Sequence, residues 1–171
     1  MPNVFVEACN IVPAFTGVVV DTDTNQTGDY VCLKDYGKVG VLYAKAAGTN
    51  TDIPTLTVYQ ATSTAGAGAK VATVVDTVWI KQLATTLTGT PTFTKTAQTL
   101  ASTVVGNATS DTEVLMEYFE INAEDLDVDN AFDCVRVDVA NAASAGTSYA
   151  CLLYLMLDPK YPGATAVDCT T

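Results

Sequence analysis

The chain has no histidine. That removes the side chain most used as a base near neutral pH and the commonest metal ligand, and with it Ser-His and Cys-His nucleophilic chemistry. No GxSxG elbow is present. Charge is scarce and of one sign: 16% of residues are charged, and 8 lysines and arginines face 19 aspartates and glutamates, for a net charge of -11. Such a surface repels phosphate backbones, so direct nucleic-acid binding is not expected. Long apolar runs are missing too. The longest, Tyr149 to Leu157, falls far short of the ~20 residues of a spanning helix, so no membrane partner is expected. The amino terminus lacks a basic region and Glu7 interrupts its early apolar stretch; it does not read as a signal peptide, and synthesis in a cytoplasm is expected.

The five cysteines, Cys9, Cys32, Cys134, Cys151 and Cys169, are scattered, with no CxxC and no histidine to complete a zinc site. Cys32, Cys134 and Cys151 fall inside strand-like runs, where a thiol packs as a small hydrophobe. They read as buried, reduced thiols, with a disulfide or intersubunit bridge as the alternative.

What fills the chain is β-forming. Hydrophobic residues make up 49% of it, and about one residue in six is threonine, well above ordinary usage. Threonine and valine are stiff at χ1 and sit well on a pleated sheet. A chain of 171 residues is one domain able to bury about 70% of its unfolded surface, a core that needs no metal or disulfide. Extended segments separated by turn signals predict an all-β fold, an antiparallel β-sandwich or barrel in a single domain over residues 1–171.

Strands are expected at Thr16 to Val20, Tyr30 to Lys34, Val39 to Lys45, Thr55 to Ala61, Val71 to Leu83, Glu113 to Ile121, Phe132 to Val139 and Tyr149 to Leu157. Asp35 to Lys38 carries a glycine where a hairpin wants one. Val74-Val75 and Trp79-Ile80 break the alternation of their run. Residues 1–15 and 161–171 read as extended terminal arms, and 84–111 as a Thr-rich loop or arm whose Thr92 to Thr96 alternation suits an edge strand. Ser110 and Glu113 have capping-box spacing, with Glu117 one helical turn on, but Tyr118, Phe119 and Ile121 favour a strand. Ala123 to Leu126 fits one helical turn. Tyr149 to Leu157 is apolar on both faces, which predicts a central strand covered outside by a second subunit or an arm.

Candidate sites are few. Asp125, Asp127, Asp129 and Asp133 open like a calcium loop, but Asn130 stands where glycine is needed and Arg136 where a bidentate glutamate belongs. The loop of Asp21, Asp23, Asn25 and Asp29 fails in the same way, with Gln26 and Cys32 at those places. Both read as solvated turns, so no metal and no cofactor are expected. Glu113, Glu117 and Glu120 supply carboxylates, but a glycosidase needs two of them at a set separation across a cleft. No catalytic residue is assigned, and the chain reads as no enzyme. Sequons at Asn25 and Asn107 are chance matches in a threonine-rich chain.

Phe119-Glu120-Ile121, then Leu126 and Phe132-Asp133-Cys134-Val135-Arg136-Val137, then a small-residue loop and Leu152-Leu153-Tyr154-Leu155 closing on Asp158-Pro159-Lys160-Tyr161, resemble the capsid decoration or cement proteins of tailed bacteriophages. The resemblance covers the last quarter to third of the chain. Its jelly-roll members imply a two-sheet sandwich that oligomerises on the head exterior and clamps neighbouring capsomers, with the major capsid protein as partner. Length and strand number depart from the small trefoil-like decoration proteins. The reading is therefore a virion structural protein, a homo-oligomer on the capsid exterior, with contacts expected from residues 1–15, 84–111 and 161–171. The competing class is a carbohydrate- or receptor-binding sandwich of a phage tail or surface structure, with Trp79 and Tyr59 as its aromatic platform, although each reads first as a core residue.

Overall fold

A computed structural model of the chain describes residues 9–20, 25–47, 54–83, 92–106, 114–140 and 148–161, with backbone only at 16–20, 83 and 148. Alternation of buried and half-exposed residues along the strands explains the architecture. In β3 (Tyr36–Lys45), Val39, Val41 and Tyr43 are buried; in β9 (Val114–Asn122), Leu115, Phe119 and Ile121 are; in β10 (Cys134–Ala140), Val135, Val137 and Val139 are. Period-two burial of β-branched and aromatic side chains gives each strand one dry face, and two such faces packed together make a sandwich of two antiparallel sheets.

The larger sheet is ordered β1 (Asn10–Val20), β11 (Ser148–Pro159), β3, β9, β6 (Val75–Leu83), β7 (Thr94–Ala101). The smaller is ordered β2 (Val31–Cys32), β10, β4 (Thr55–Ala61), β5 (Lys70–Val71), with β8 (Thr103–Val105) also pairing β4. Setting aside β6 to β8, the remaining eight strands read 1-8-3-6 and 2-7-4-5 in their own order, the double Greek key of a jelly roll. The β6–β8 excursion between β5 and β9 adds two strands to the larger sheet. The described residues contain no α-helix, only 3₁₀ turns at Ala123–Asp125 and Val128–Asn130.

Several expectations change. Asp35 to Lys38 does not close a hairpin, because β2 pairs β10 in one sheet while β3 pairs β11 and β9 in the other; the turn carries the chain across the sandwich. The single strand expected over Val71 to Leu83 is two strands in different sheets. Ala72, Val74 and Val75 are all buried as the chain crosses, which is why the doubled valine breaks alternation. The amino-terminal arm expected over 1–15 is strand from Asn10, paired through Ile11↔Leu155 and Pro13↔Leu153; residues 1–8 lie outside the described residues. Within 84–111, β7 and β8 are ordered strands, and β7 is the edge of the larger sheet, where the Thr92 to Thr96 alternation fits. Of the carboxyl-terminal arm only Tyr161, exposed, is described.

Candidate interaction surface

β11 is paired on both sides, by β1 and by β3. Its inward residues Leu152, Tyr154 and Met156 are fully buried, while Cys151, Leu153, Leu155 and Leu157 on the other side are half-buried and Tyr149 is exposed. Strand register extends this outer apolar surface over the whole sheet. Pro13 lies opposite Leu153, Leu153 opposite Leu42, Leu42 opposite Tyr118, Tyr118 opposite Trp79, and Trp79 opposite Lys95. One unbroken cross-strand row therefore spans all six strands. Beside it runs Ile11, Leu155, Gly40 and Glu120, and on its other side Cys151, Ala44, Met116 and Lys81.

The aromatic part of the row is fixed in place. The Trp79 and Tyr118 rings tilt at 52° with centroids 5.8 Å apart, a favourable aromatic geometry, and Lys95 Nζ lies 5.6 Å from the Trp79 ring. The Tyr118 hydroxyl donates to Glu120 Oε1 at 2.7 Å, and Lys38 Nζ donates to Oε2 at 3.0 Å. Burial alone raises the Glu120 carboxyl, but the bonds from Tyr118 and Lys38 together pull it below its ordinary range. Burial, and then the Glu120 charge, hold the Tyr118 phenol protonated. The ring lies across Gly40, where a Cβ would stand 2.7 Å from the Tyr118 oxygen; only glycine allows it to lie so flat. An aromatic, mostly uncharged patch flanked by ion pairs has the make-up of an interface core.

The other outer face differs. Arg136 of β10 lies between the rings of Tyr30 and Tyr59, 4.9 Å and 4.8 Å from their centroids, and donates to Asp138 Oδ2 at 2.9 Å. Asp138 also accepts the Gly28 amide at 3.2 Å. Tyr30, Ala61 and Cys134 form a small buried cluster there, with Cys32 packed against it. Tyr59 therefore sits on the outside of the smaller sheet and Trp79 on the outside of the larger, so the two cannot form one sugar-binding platform.

The acidic loop of β9–β10 sends its carboxylates to separate partners. Asp127 takes Lys70 Nζ and, at 2.8 Å, Asn130 Nδ2; Asp125 takes Asn122 Nδ2 at 2.8 Å. Asp133 instead lies beside Cys32 and Cys134, their donor atoms within 4.8 Å of one another. Asp21 and Asp23 lie outside the described residues, as do Glu113, Asn107 and Cys169. Of the strand cysteines only Cys134 is buried, because Tyr30 and Ala61 pack with it on the outer side of the smaller sheet; Cys32 beside it, and Cys151 on the outer side of the larger sheet, are half-exposed. A cleft of about 650 Å³ opens at the Leu33, Asn122 and Asp158 end of the sandwich. Two of its lysines are engaged, Lys38 with Glu120 at 3.0 Å and Asp158 at 3.8 Å, and Lys160 Nζ with the Lys34 carbonyl at 3.0 Å.

Glu117 lies in β9, the strand expected over Glu113 to Ile121, but its burial was not expected. It is fully buried, neither carboxylate oxygen has a hydrogen-bond partner, and burial pushes its carboxyl up to about 7. Tyr43, its register partner on β3, is equally buried with an unpartnered hydroxyl, and burial raises its phenol further. Lys45, one pleat along, is buried too. The signal was in the alternation: Leu115, Glu117, Phe119 and Ile121 share one side of β9.

No protein-family model and no curated protein matches the chain. Among solved structures it is similar to the crystal structure of the SPBc2 prophage-derived protein YomS, at 9% identity and a TM-score of 0.42, over 86% of this chain and 92% of that one. The fold assignment rests on strand pairing and order, not on this likeness.

Proposed function

We propose that the chain is a non-enzymatic virion structural protein, a bacteriophage head decoration protein that binds the capsid exterior as a homo-oligomer through the outer face of its six-stranded sheet. The row from Pro13 through Leu153, Leu42 and Tyr118 to Trp79 carries this reading. An apolar strip this broad, on a sandwich whose core is already complete without it, suits a protein that works against another surface. The major capsid protein is the partner, and the net charge of -11 suits the side of a shell that faces away from packaged DNA. A subunit that binds the assembled lattice more tightly than free capsid protein stabilises the lattice by mass action.

The test is to probe purified virions for the chain by mass spectrometry and to measure its co-sedimentation with assembled shells. The chain should be present in virions, and Leu153→Asp should fold yet lose shell binding. Absence from virions, or undiminished binding by a folded Leu153→Asp, overturns the reading.

A further inference from the structure

We propose that Cys32 and Cys134 are a reversible redox pair, forming a cross-strand disulfide that fastens β2 to β10 when the protein meets a small-molecule disulfide oxidant. The two are direct register partners. The Leu33 amide donates to the Asp133 carbonyl at 2.7 Å, which makes the neighbouring pair the hydrogen-bonded one and puts the cysteines at a non-hydrogen-bonded position. Opposed Cα atoms there are about 4.5 Å apart and their side chains closest, within the ~4.4–6.8 Å that disulfides span. The two sulfurs and an Asp133 carboxylate oxygen lie within 4.8 Å of one another. The bond can therefore form without moving either strand.

The surroundings assign the roles. Cys32 is half-exposed and Cys134 buried beneath Tyr30 and Ala61, so a reagent enters at Cys32. The contact with Cys134 pulls the Cys32 thiol down to about 7, against the pull of burial, and the same contact raises Cys134. The pair thus loses its first proton readily and its second with difficulty. The Cys32 thiolate attacks the oxidant disulfide, forming a mixed disulfide and expelling one thiolate. Cys134, whose S–H donates to Asp133 Oδ1 at 3.2 Å, gives up its proton, and its sulfur attacks Cys32 Sγ, expelling the second thiolate. Two protein thiols lose two electrons and two protons, and the oxidant becomes two thiols. What closes is a two-residue strand at the edge of the smaller sheet.

The experiment is equilibration of the native full-length chain with oxidised and reduced glutathione, followed by intact mass and peptide mapping. The expected result is a Cys32–Cys134 peptide with a mass loss of about 2 Da, as two hydrogens leave when the bond forms, and a melting temperature higher by about 10 °C, since the bond closes a loop of roughly 100 residues. Cys134→Ser should stop at a glutathione adduct on Cys32, Cys32→Ser should leave Cys134 slow to react, and Cys9→Ser and Cys151→Ser should close the bond as the parent does. Circular dichroism checks that each variant is folded. Thiols that stay free under oxidising glutathione, or adducts that never close in the parent, overturn the proposal. So does a stoichiometric zinc ion that survives gel filtration and protects both thiols, because the three donors are then a metal site.

Discussion

The Tyr154 hydroxyl accepts a 2.9 Å hydrogen bond from the Val137 amide, joining the two sheets through the middle of the core. β10 is paired at Val135 by Val31 and at Val139 by Gln26, and between them the Val137 amide bonds the tyrosine and no backbone carbonyl of that neighbouring segment. Gly28 is shaped to this contact, since a Cβ there would lie 2.4 Å from the Val137 carbonyl oxygen and 3.1 Å from the Tyr154 oxygen.

Tyr154→Phe should therefore strand a buried amide and destabilise the fold by about 1–3 kcal/mol. Gly28→Ala should destabilise it as well, by pushing the 26–30 segment off β10. Urea melts of both variants measure this; a neutral Tyr154→Phe would mean that Val137 finds another acceptor.

Glu117 makes stability depend on pH. The folded carboxyl holds its proton to about pH 7, whereas the unfolded one releases it near 4.5. Between these values the native state binds the extra proton, so the group's contribution is full below about 4.5 and is lost as pH rises through about 7. Glu117→Gln should match the parent at pH 4 and exceed it at pH 8 by about 3 kcal/mol. Denaturant melts at pH 4, 6 and 8 check this, and a difference that does not vary with pH would show the carboxylate to be paired in the native protein.

Leu152 and Leu153 are neighbours with opposite fates. Leu152→Asp puts an unpaired charge into a fully buried site and should abolish folding, at a cost of several kcal/mol. Leu153→Asp changes only the outer face and should fold. Circular dichroism and sedimentation of the two variants separate core from surface; an unfolded Leu153→Asp would show that the outer row is structural.

A chelator should leave the melting temperature unchanged, since the carboxylates of Asp125 and Asp127 are taken up by Asn122, Asn130 and Lys70. A fall of many degrees would point to a bound ion.

Local features were legible in the sequence and distant ones were not. Thr55 to Ala61 alternates cleanly and is β4 at those bounds, because a strand with one buried face carries its own pattern. Ala123 to Leu126 contains its expected turn. The doubled Val74-Val75 was visible as a break in phase, but that it marks a change of sheet depends on where the partners lie. The strand expected over Glu113 to Ile121 is β9, yet the burial of Glu117 follows only from its phase with Leu115, Phe119 and Ile121. The outer row joins residues 13, 153, 42, 118 and 79, and the dithiol joins 32 to 134. Both exist only through register between strands far apart in the chain, and no local pattern encodes that.

β1 and β11 are neighbours in the sheet although Asn10 pairs with Met156. At ribosomal speeds of ~5–20 residues per second, β1 waits about seven to thirty seconds for its partner strand to be made. An unpaired strand is a template for pairing with other chains. Pro13, which has no amide hydrogen to offer, and the two register shifts around Phe15 are the features that make β1 a poor template during that interval. The irregularity of this strand thus serves the nascent chain as much as the finished one, and a regularised β1 would show its cost as aggregation during synthesis with no loss of stability in the folded protein.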